Sequence, residues 1–413
     1  MSSLTKDDCE TLDRSDPLAA FRDEFVLPDG MTYLDGHSLG PMPKAALERL
    51  NQAASTEWAR GLIGSWNIAG WFQQPYRLGA KIAPLIGVAE DEVVVTDTVV
   101  ANLFKVAASA LALRPGRKVI VMEGSNFPTD NYIVQGLIGL LDRGYEIRFA
   151  EKAELMDALD ETVAVAILIH VHYKTSHVLD MAAITQRAHE VGALMVWDLC
   201  HSVGAVPVDL NAVGADYAVG CTYKYLNGGP GSPAFVFAAR RHHGGAIQPL
   251  TGWWGHEAPF AFDRDYRPAG NINQMLTSTQ PILSLAAMEA GLDLAGRADR
   301  VLARDKARAL GDLLIRLMDE RCGEFDFKLI SPRTSDQRGQ HVAFDHPQGY
   351  PIVRALAQRG VITDFRAPET IRFGLAPLYI RFADVWNAVA DLVDIMQTRA
   401  WDHPDLARRE AVT

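Results

Sequence analysis

Cysteine is scarce. The 413 residues carry four, Cys9, Cys200, Cys221 and Cys322, and no two form a C-x-x-C pair. That leaves out a thiolate zinc site and a disulfide framework, so no metal is expected and the compartment expected is the cytoplasm. Positive charge is also short. Lys and Arg number 40 against 51 Asp and Glu, a formal net charge of −11, which argues against a nucleic-acid partner. No apolar run reaches the roughly 18 residues that a membrane helix needs. The N-terminus, MSSLTKDDCETLDRSD, is polar and acidic, unlike a signal or transit peptide. Internal repeats and low-complexity linkers are missing as well. What is present, 48% hydrophobic and 22% charged residues, suits a soluble globular chain long enough for two domains.

The stretch from Val196 to Pro233 organises the rest: VWDLCHSVGAVPVDLNAVGADYAVGCTYKYLNGGPGSP. An apolar run ending in Trp197 reads as a buried strand and leads into Asp198, with His201 three residues on. A second run, Tyr217 to Cys221, leads into Thr222-Tyr223-Lys224-Tyr225 and a glycine-rich turn. Singly, the Asp reads as a helix cap and the Lys as solvated surface. Together, a carboxylate and a lysine at neighbouring strand ends match what pyridoxal 5'-phosphate (PLP) requires: a lysine for a Schiff base and an acid against its ring nitrogen.

The alternation of strand and helix over residues 92–240 predicts a mostly parallel sheet covered by helices, an α/β fold. Strands are expected at Glu92–Thr96, Lys118–Met122, Glu146–Phe149, Val163–His170, Ala193–Trp197, Asp216–Cys221 and Pro233–Ala238, with helices at 131–142 and 182–191 among the segments between them. Ligands of such sheets sit beyond the carboxyl ends of the strands, where the motifs above fall. Before the sheet, Asp16-Pro17 suits a helix start, residues 43–60 read as an amphipathic helix, and Trp58, Trp66 and Trp71 lie in a glycine-rich loop that suits a binding wall. After residue 240 come Gly252-Trp253-Trp254-Gly255-His256, Thr277-Ser278-Thr279-Gln280-Pro281, a helical stretch over 281–320, and a small α+β region. That region has strands at Phe327–Ile330, His341–Phe344 and Ile371–Gly374 and helices at 351–359 and 383–399. The division expected is an N-terminal arm (1–45), a large α/β domain (46–285) and a linking helix with a small C-terminal α+β domain (286–413).

Several of these segments carry a resemblance. Leu34-Asp35-Gly36-His37-Ser38-Leu39-Gly40, Phe127-Pro128-Thr129-Asp130, Trp197 to Gly204, Thr222 to Asn227, Gly252 to His256 and Pro377-Leu378-Tyr379 resemble the fold-type I PLP enzymes and, within them, the kynureninase family. The lysine motif marks the superfamily; the tryptophan and Pro-Leu-Tyr motifs narrow it. The resemblance covers roughly residues 20–400. It implies the fold-type I PLP-dependent transferase fold, PLP as cofactor, hydrolysis of L-kynurenine to anthranilate and L-alanine, and a homodimer with shared active sites.

It also implies roles. Lys224 carries the cofactor and moves protons, Asp198 meets its ring nitrogen, and Tyr223 is a possible acid near the phosphate. Phe127 stacks on the ring, with Asp130 near its substituents. Val99 and Val100 offer backbone N–H groups at a helix start, although the family often has a hydroxyl residue at the second. His201 positions the cofactor, with a purely structural histidine the alternative. Trp253 and Thr279 reach the partner's site near the phosphate. Ser38, Trp66 and Arg372 meet the substrate, Arg372 as a two-pronged carboxylate clamp. Two rival readings remain: another fold-type I enzyme such as a cysteine desulfurase, for which Cys322 is the one late thiol, and a PLP-fold protein that binds ligand without catalysis.

Overall fold

Seven short apolar runs close into one sheet. They are β1 (Val93–Val95), β2 (Val119–Glu123), β3 (Glu146–Ala150), β4 (Val163–Ile169), β5 (Leu194–Asp198), β6 (Tyr217–Gly220) and β7 (Phe235–Ala238). All seven fall on the expected segments, within three residues at each end. The order across the sheet is β1-β7-β6-β5-β4-β2-β3, and only β7 runs antiparallel to its neighbours. The structure is a computed structural model that describes residues 4–245 and 248–410; the first three residues of the expected arm lie outside that range.

Every residue of β4, Val-Ala-Val-Ala-Ile-Leu-Ile, is buried, as a strand covered on both faces requires. In β5 the two-residue period sorts side chains between layers: Met195 and Trp197 enter one core, Leu194 and Val196 the other. Each such side chain, fully buried, contributes about 1.5–3 kcal/mol. Helices α1 (Val99–Ala112) and α2 (Pro128–Leu141) follow β1 and β2. The edge strands are β1 and β3, and in β3 Glu146 and Arg148 break the apolar run; Arg148 is tied to Asp160 at 2.8 Å and to the Ala158 carbonyl at 2.8 Å.

A second core surrounds a smaller antiparallel sheet of β8 (Lys328–Leu329), β9 (His341–Asp345), β10 (Asp364–Arg366) and β11 (Thr370–Gly374), in the order β10-β11-β9-β8. Strand β10 was not expected: three residues with a charge at each end give no apolar alternation to read. The N-terminal segment is stitched to this region, because Thr32–Tyr33 pairs in parallel with Val361–Ile362.

Four expectations are corrected. Asp16-Pro17 leads only into a short 3-10 helix, Ala19–Glu24, with Asp16 accepting from the Leu18 N–H at 2.9 Å; the α-helix of the arm is Lys6–Arg14, begun by a capping box in which Thr5 and Asp8 satisfy each other's backbone N–H groups. Asp16 also pairs with buried Lys306 at 2.6 Å. The helix over 43–60 is α-helical only to Gln52 and then widens to π-type turns over Ala53–Gly61, which turn Glu57 inward. The segment 62–73 is a run of short helical turns. Within it Trp71 is buried and donates its indole N–H to Glu57 at 2.8 Å, so it belongs to the core and not to a binding wall. The stretch 281–320 is two helices, α3 (Ile282–Arg297) and α4 (Arg300–Arg321), broken where Asp299 caps the second by accepting from the N–H groups of Val301 and Leu302.

One buried carboxylate binds the rear of the large sheet. Asp216, at the start of β6, accepts from His189, His242, Arg241 and the Met195 backbone N–H, all at 2.7–2.8 Å. Burial alone would raise its pKa, but these four donors hold it well below the usual carboxylate range. Replacing it strands a buried N–H and three basic groups. Asp216→Ala should therefore cost about 3 kcal/mol of unfolding free energy in urea titrations near neutral pH. A depressed carboxylate stabilises only above its unfolded-state value, so the deficit should shrink as the pH falls below the ordinary aspartate value of 3.8. A pH-independent deficit would show that packing, not charge, is what Asp216 supplies.

Candidate active site

The carboxyl ends of β5 and β6 set the first group of side chains. Asp198 closes β5, and one of its oxygens accepts from the Cys200 N–H at 2.6 Å. His201 follows, and its Nε2 lies 2.9 Å from the amine of Lys224. Lys224 is held by the turn after β6. There the Thr222 hydroxyl lies 2.6 Å from that of Ser232 and donates to the Pro233 carbonyl at 2.7 Å. A side chain on Gly228 would come within 3.0 Å of the Thr222 carbonyl, so glycine is needed for the chain to fold back this tightly.

Electrostatics sharpen this group. Asp130, in the first turn of α2, is buried beside Asp198; burial first, then the Asp198 carboxylate, raises its pKa well above the ordinary value. The charged form of His201 is suppressed by burial, then by Lys224. A neutral imidazole at this distance accepts from the lysine amine. The Tyr223 hydroxyl is held protonated by burial and then by Cys221.

The second group surrounds Ser38. Arg372, from the centre of β11, has its side chain only 1% exposed. Its Nε donates to Asp364 at 2.7 Å, its Nη2 to the other Asp364 oxygen and to Ser38 at 3.1 Å, and its Nη1 to the Tyr173 carbonyl at 2.5 Å. The Nε–Nη2 prong of the expected clamp is thus occupied by Asp364. Ser38 in turn donates to Asp364 at 2.9 Å. His37 lies between Asp35 (3.6 Å) and Asp364 (3.5 Å) and stacks on His341 at 5.0 Å. Burial, then the Asp364 carboxylate, pushes Asp35 up to about 7, while burial, then Arg372, lowers His37 to about 4. Asp35, His37 and Asp364 bring ligand-type atoms within 4.8 Å of one another, but Asp364 is already engaged by Arg372 and by Arg366 at 2.8 Å. Sequence reasoning missed Asp364, Arg366 and His341. The available signal was Asp-x-Arg before Ile-Arg-Phe, a two-residue spacing that puts both charges on one face of a short strand.

Val99 and Val100 open α1 behind Thr98, whose hydroxyl accepts from the Ala101 N–H at 3.3 Å. The first N–H groups of that helix have no partner within it, which suits a phosphate. Phe127 precedes α2, is 43% exposed, and meets the Tyr173 ring edge-on at 5.2 Å. Trp66, Trp253 and Thr279 are placed elsewhere. Trp66 and Trp253 pack on Trp254 at 5.6 and 5.1 Å. Thr279 is exposed, two residues from Thr277, whose hydroxyl donates to Asp97 at 3.2 Å. Among the described residues no hydrogen bond or ring contact joins these three to Lys224, Asp198 or Phe127.

The residues present fit PLP. A buried carboxyl pair, Asp130 and Asp198, has no ion-pair partner among the described residues and suits a protonated ring nitrogen. A lysine amine, an exposed aromatic face and an open helix start supply partners for its aldehyde, ring and phosphate.

Comparison with known proteins gives a consistent picture. A family model described as "Kynureninase C-terminal domain" matches residues 303–392. The kynureninase of Burkholderia mallei is 53% identical over 414 residues, 99% of this chain and 100% of that protein. The kynureninase of Pseudomonas fluorescens is 49% identical with the same coverage. Among solved structures, the apo cysteine desulfurase of Thermococcus onnurineus superposes with a TM-score of 0.78 at 17% identity, covering 96% of this chain and 100% of that one. A lysine mutant of C-DES with glycine covalently linked to its PLP cofactor gives a TM-score of 0.78 at 18% identity, covering 90% and 99%. These two share the fold; the first pair share the sequence.

The Asp130–Asp198 pair yields a test on the cofactor-free protein. A carboxyl group whose pKa is raised by folding destabilises progressively as the pH climbs above its unfolded-state value. Asp130→Asn should therefore stabilise the cofactor-free protein at pH 7, by about 1 kcal/mol or more, with the gain vanishing toward pH 4. Urea midpoints of both proteins across that range decide it, and a gain that grows toward acid would contradict the like-charge account.

Proposed function

The chain belongs to the kynureninase family, and we propose how its residues perform that family's reaction, the PLP-dependent hydrolysis of L-kynurenine to anthranilate and L-alanine. The observation that carries the assignment of roles is the Lys224 amine, hydrogen-bonded to a neutral His201 between the ends of β5 and β6. PLP, when bound, supplies an electron sink for the charge left on the alanine fragment as the Cβ–Cγ bond breaks. Asp198 meets the ring nitrogen and keeps it protonated, with Asp130 beside it. Phe127 lies against the ring, and the N–H groups of Val99 and Val100 receive the phosphate. Lys224 takes the proton from the substrate α-carbon, and His201 holds its amine in place by accepting its hydrogen bond. Tyr223, whose hydroxyl burial and then Cys221 keep protonated, donates a hydrogen bond near the phosphate. Ser38 and Arg372 face the substrate carboxylate.

Two copies are needed to complete the site. Trp66, Trp253 and Thr279 stand apart from Lys224 within one chain, the two tryptophans inside an aromatic cluster with Trp254, Phe72 and Phe260 and Thr279 exposed. Ile63, Ile68, Phe260 and Phe262 around it are largely exposed, an apolar surface of the kind that subunit interfaces cover. A two-fold pairing carries Trp253 and Thr279 to the partner's phosphate and Trp66 to its substrate ring. No described helix is long and apolar enough to cross a membrane. The four thiols are all buried and free, in keeping with a reducing cytoplasm. They also weigh against a desulfurase, which needs a nucleophilic thiol: Cys322 is buried at the end of α4, and burial pushes its pKa up to about 11.

Lys224→Ala should abolish anthranilate release, read by its fluorescence, and remove the visible absorbance of the bound cofactor; retention of both would end the assignment. Trp253→Ala should weaken cofactor retention and shift sedimentation toward the monomer. Unchanged retention and an unchanged profile would place Trp253 outside the shared site.

A further inference from the structure

Helix α4 opens with an arginine at every fourth position, Arg300, Arg304 and Arg308, a spacing that puts all three on one face. That face lines a cavity of about 600 Å³, the size of a small-molecule site. Its other walls include Leu85, the loop 204–209 after β5, Ala298 at the end of α3, and Leu378. Of the active-site residues named above, only Lys224 lines it. The cavity is therefore separate from the place around Ser38 and Arg372 that receives the substrate carboxylate.

The middle arginine is the unusual one. Arg304 is only 6% exposed. Its Nη2 donates to the Ser335 carbonyl at 3.0 Å and to the Arg338 carbonyl at 2.7 Å, but its Nε and Nη1 are buried and have no partner. Among the described residues it has no ion pair. The acids nearby are committed elsewhere. Asp305 and Asp336 both bind Arg308, Asp312 binds Arg338 at 2.5 Å, and Asp209 caps the Ala212 N–H at 2.9 Å. Arg300 is engaged by the Pro84 carbonyl. Burial, then Arg308, lowers the Arg304 pKa to about 10, which leaves it charged at neutral pH. A buried charge without a countercharge is costly, and buried N–H groups without acceptors add to that cost. One monoanion reaching Arg304 relieves both. Because Leu85, Val206, Ala298 and Leu378 are apolar, the same ligand can bury a hydrocarbon body.

We propose that this cavity is a second binding site, which takes a small organic monocarboxylate with an apolar body. The carboxylate accepts from the free N–H groups of Arg304, and the body lies against Leu85, Val206 and Ala298. A dianion fits less well, since only one positive charge is left uncompensated and the walls beside it are apolar. The site does not depend on the roles given above to Lys224, Asp198 and Arg372.

The test is calorimetric titration of the holoenzyme with hexanoate and, as an uncharged control, hexanamide, at fixed ionic strength. Hexanoate should bind saturably with a Kd of about 1 mM or below, and hexanamide should bind at least about 10-fold more weakly. Arg304→Gln should weaken hexanoate about 10-fold or more, because the charge-assisted bonds are lost. Ala298→Leu, which keeps Arg304 and fills part of the cavity, should weaken it too, and carries the comparison alone if Arg304→Gln does not fold. The KM for L-kynurenine should stay within about twofold in either variant, as the substrate carboxylate binds elsewhere. Three results would overturn the proposal: no saturable binding to the unaltered protein, equal binding of acid and amide, or hexanoate binding that both variants leave intact. A rise in KM matching the loss of hexanoate binding would overturn it as well, by placing the carboxylate in the substrate site.

Discussion

A single buried guanidinium ties together the parts of this protein that must cooperate. Arg372 comes from the small sheet, yet it bonds to Asp364 on the adjacent strand, to Ser38 in the N-terminal turn and to the Tyr173 carbonyl in a loop after β4 of the large sheet. Three distant stretches of chain are brought to one point. Burying such a charge is costly unless it is paired and its N–H groups are satisfied. Asp364 supplies the countercharge, and the hydroxyl and the carbonyl supply further acceptors. Removing any one leaves the others in a poorer state, so the N-terminal turn, the small sheet and the Tyr173 loop hold a common geometry. Tyr173 passes that constraint on: its ring meets Phe127.

The large sheet was legible because burial on both faces demands unbroken apolar runs, and those runs stand out in the sequence. Val163 to Ile169 has no polar residue to confuse the reading. The residues at strand ends were legible for a related reason. A parallel sheet presents its ligands at one edge, so Asp198 and Lys224, each just after an apolar run, had nowhere else to be useful. The carboxylate end was less legible. Strand β10 is three residues long and begins and ends with a charge, and its meaning depends on pairing with β11, which no local pattern announces. Trp71 misled for the opposite reason. A glycine-rich setting suggested a loop, but Glu57 turns inward to hold the Trp71 indole, and an indole so bound is core. Asp216 was invisible, since its four donors come from three separate segments.

The electrostatic design follows one rule in two places. Near Lys224, two buried carboxyl groups stand close with no basic side chain paired to them among the described residues; near Ser38, two guanidiniums share one carboxylate. Each place has an excess of one sign. In the fold without ligand that excess is a cost. With a protonated ring nitrogen at the first and a carboxylate at the second, both are balanced. Local instability of this kind is how a folded chain selects for charge without relying on shape alone.

The charged edge strand β3 has a bearing on assembly. An open strand edge is a template that each added chain renews, so association by that route has no natural stopping number. Here Glu146 and Arg148 interrupt the edge, and Arg148 is held in place by Asp160 and the Ala158 carbonyl. A larger group of exposed apolar side chains, Ile63, Ile68, Phe260 and Phe262, lies elsewhere, with Phe260 packed on Trp253. A patch that meets its own copy across a two-fold axis is used up by a single encounter. Self-association through that patch, unlike pairing along a strand edge, would saturate at one partner, and a concentrated solution would then hold particles of one size.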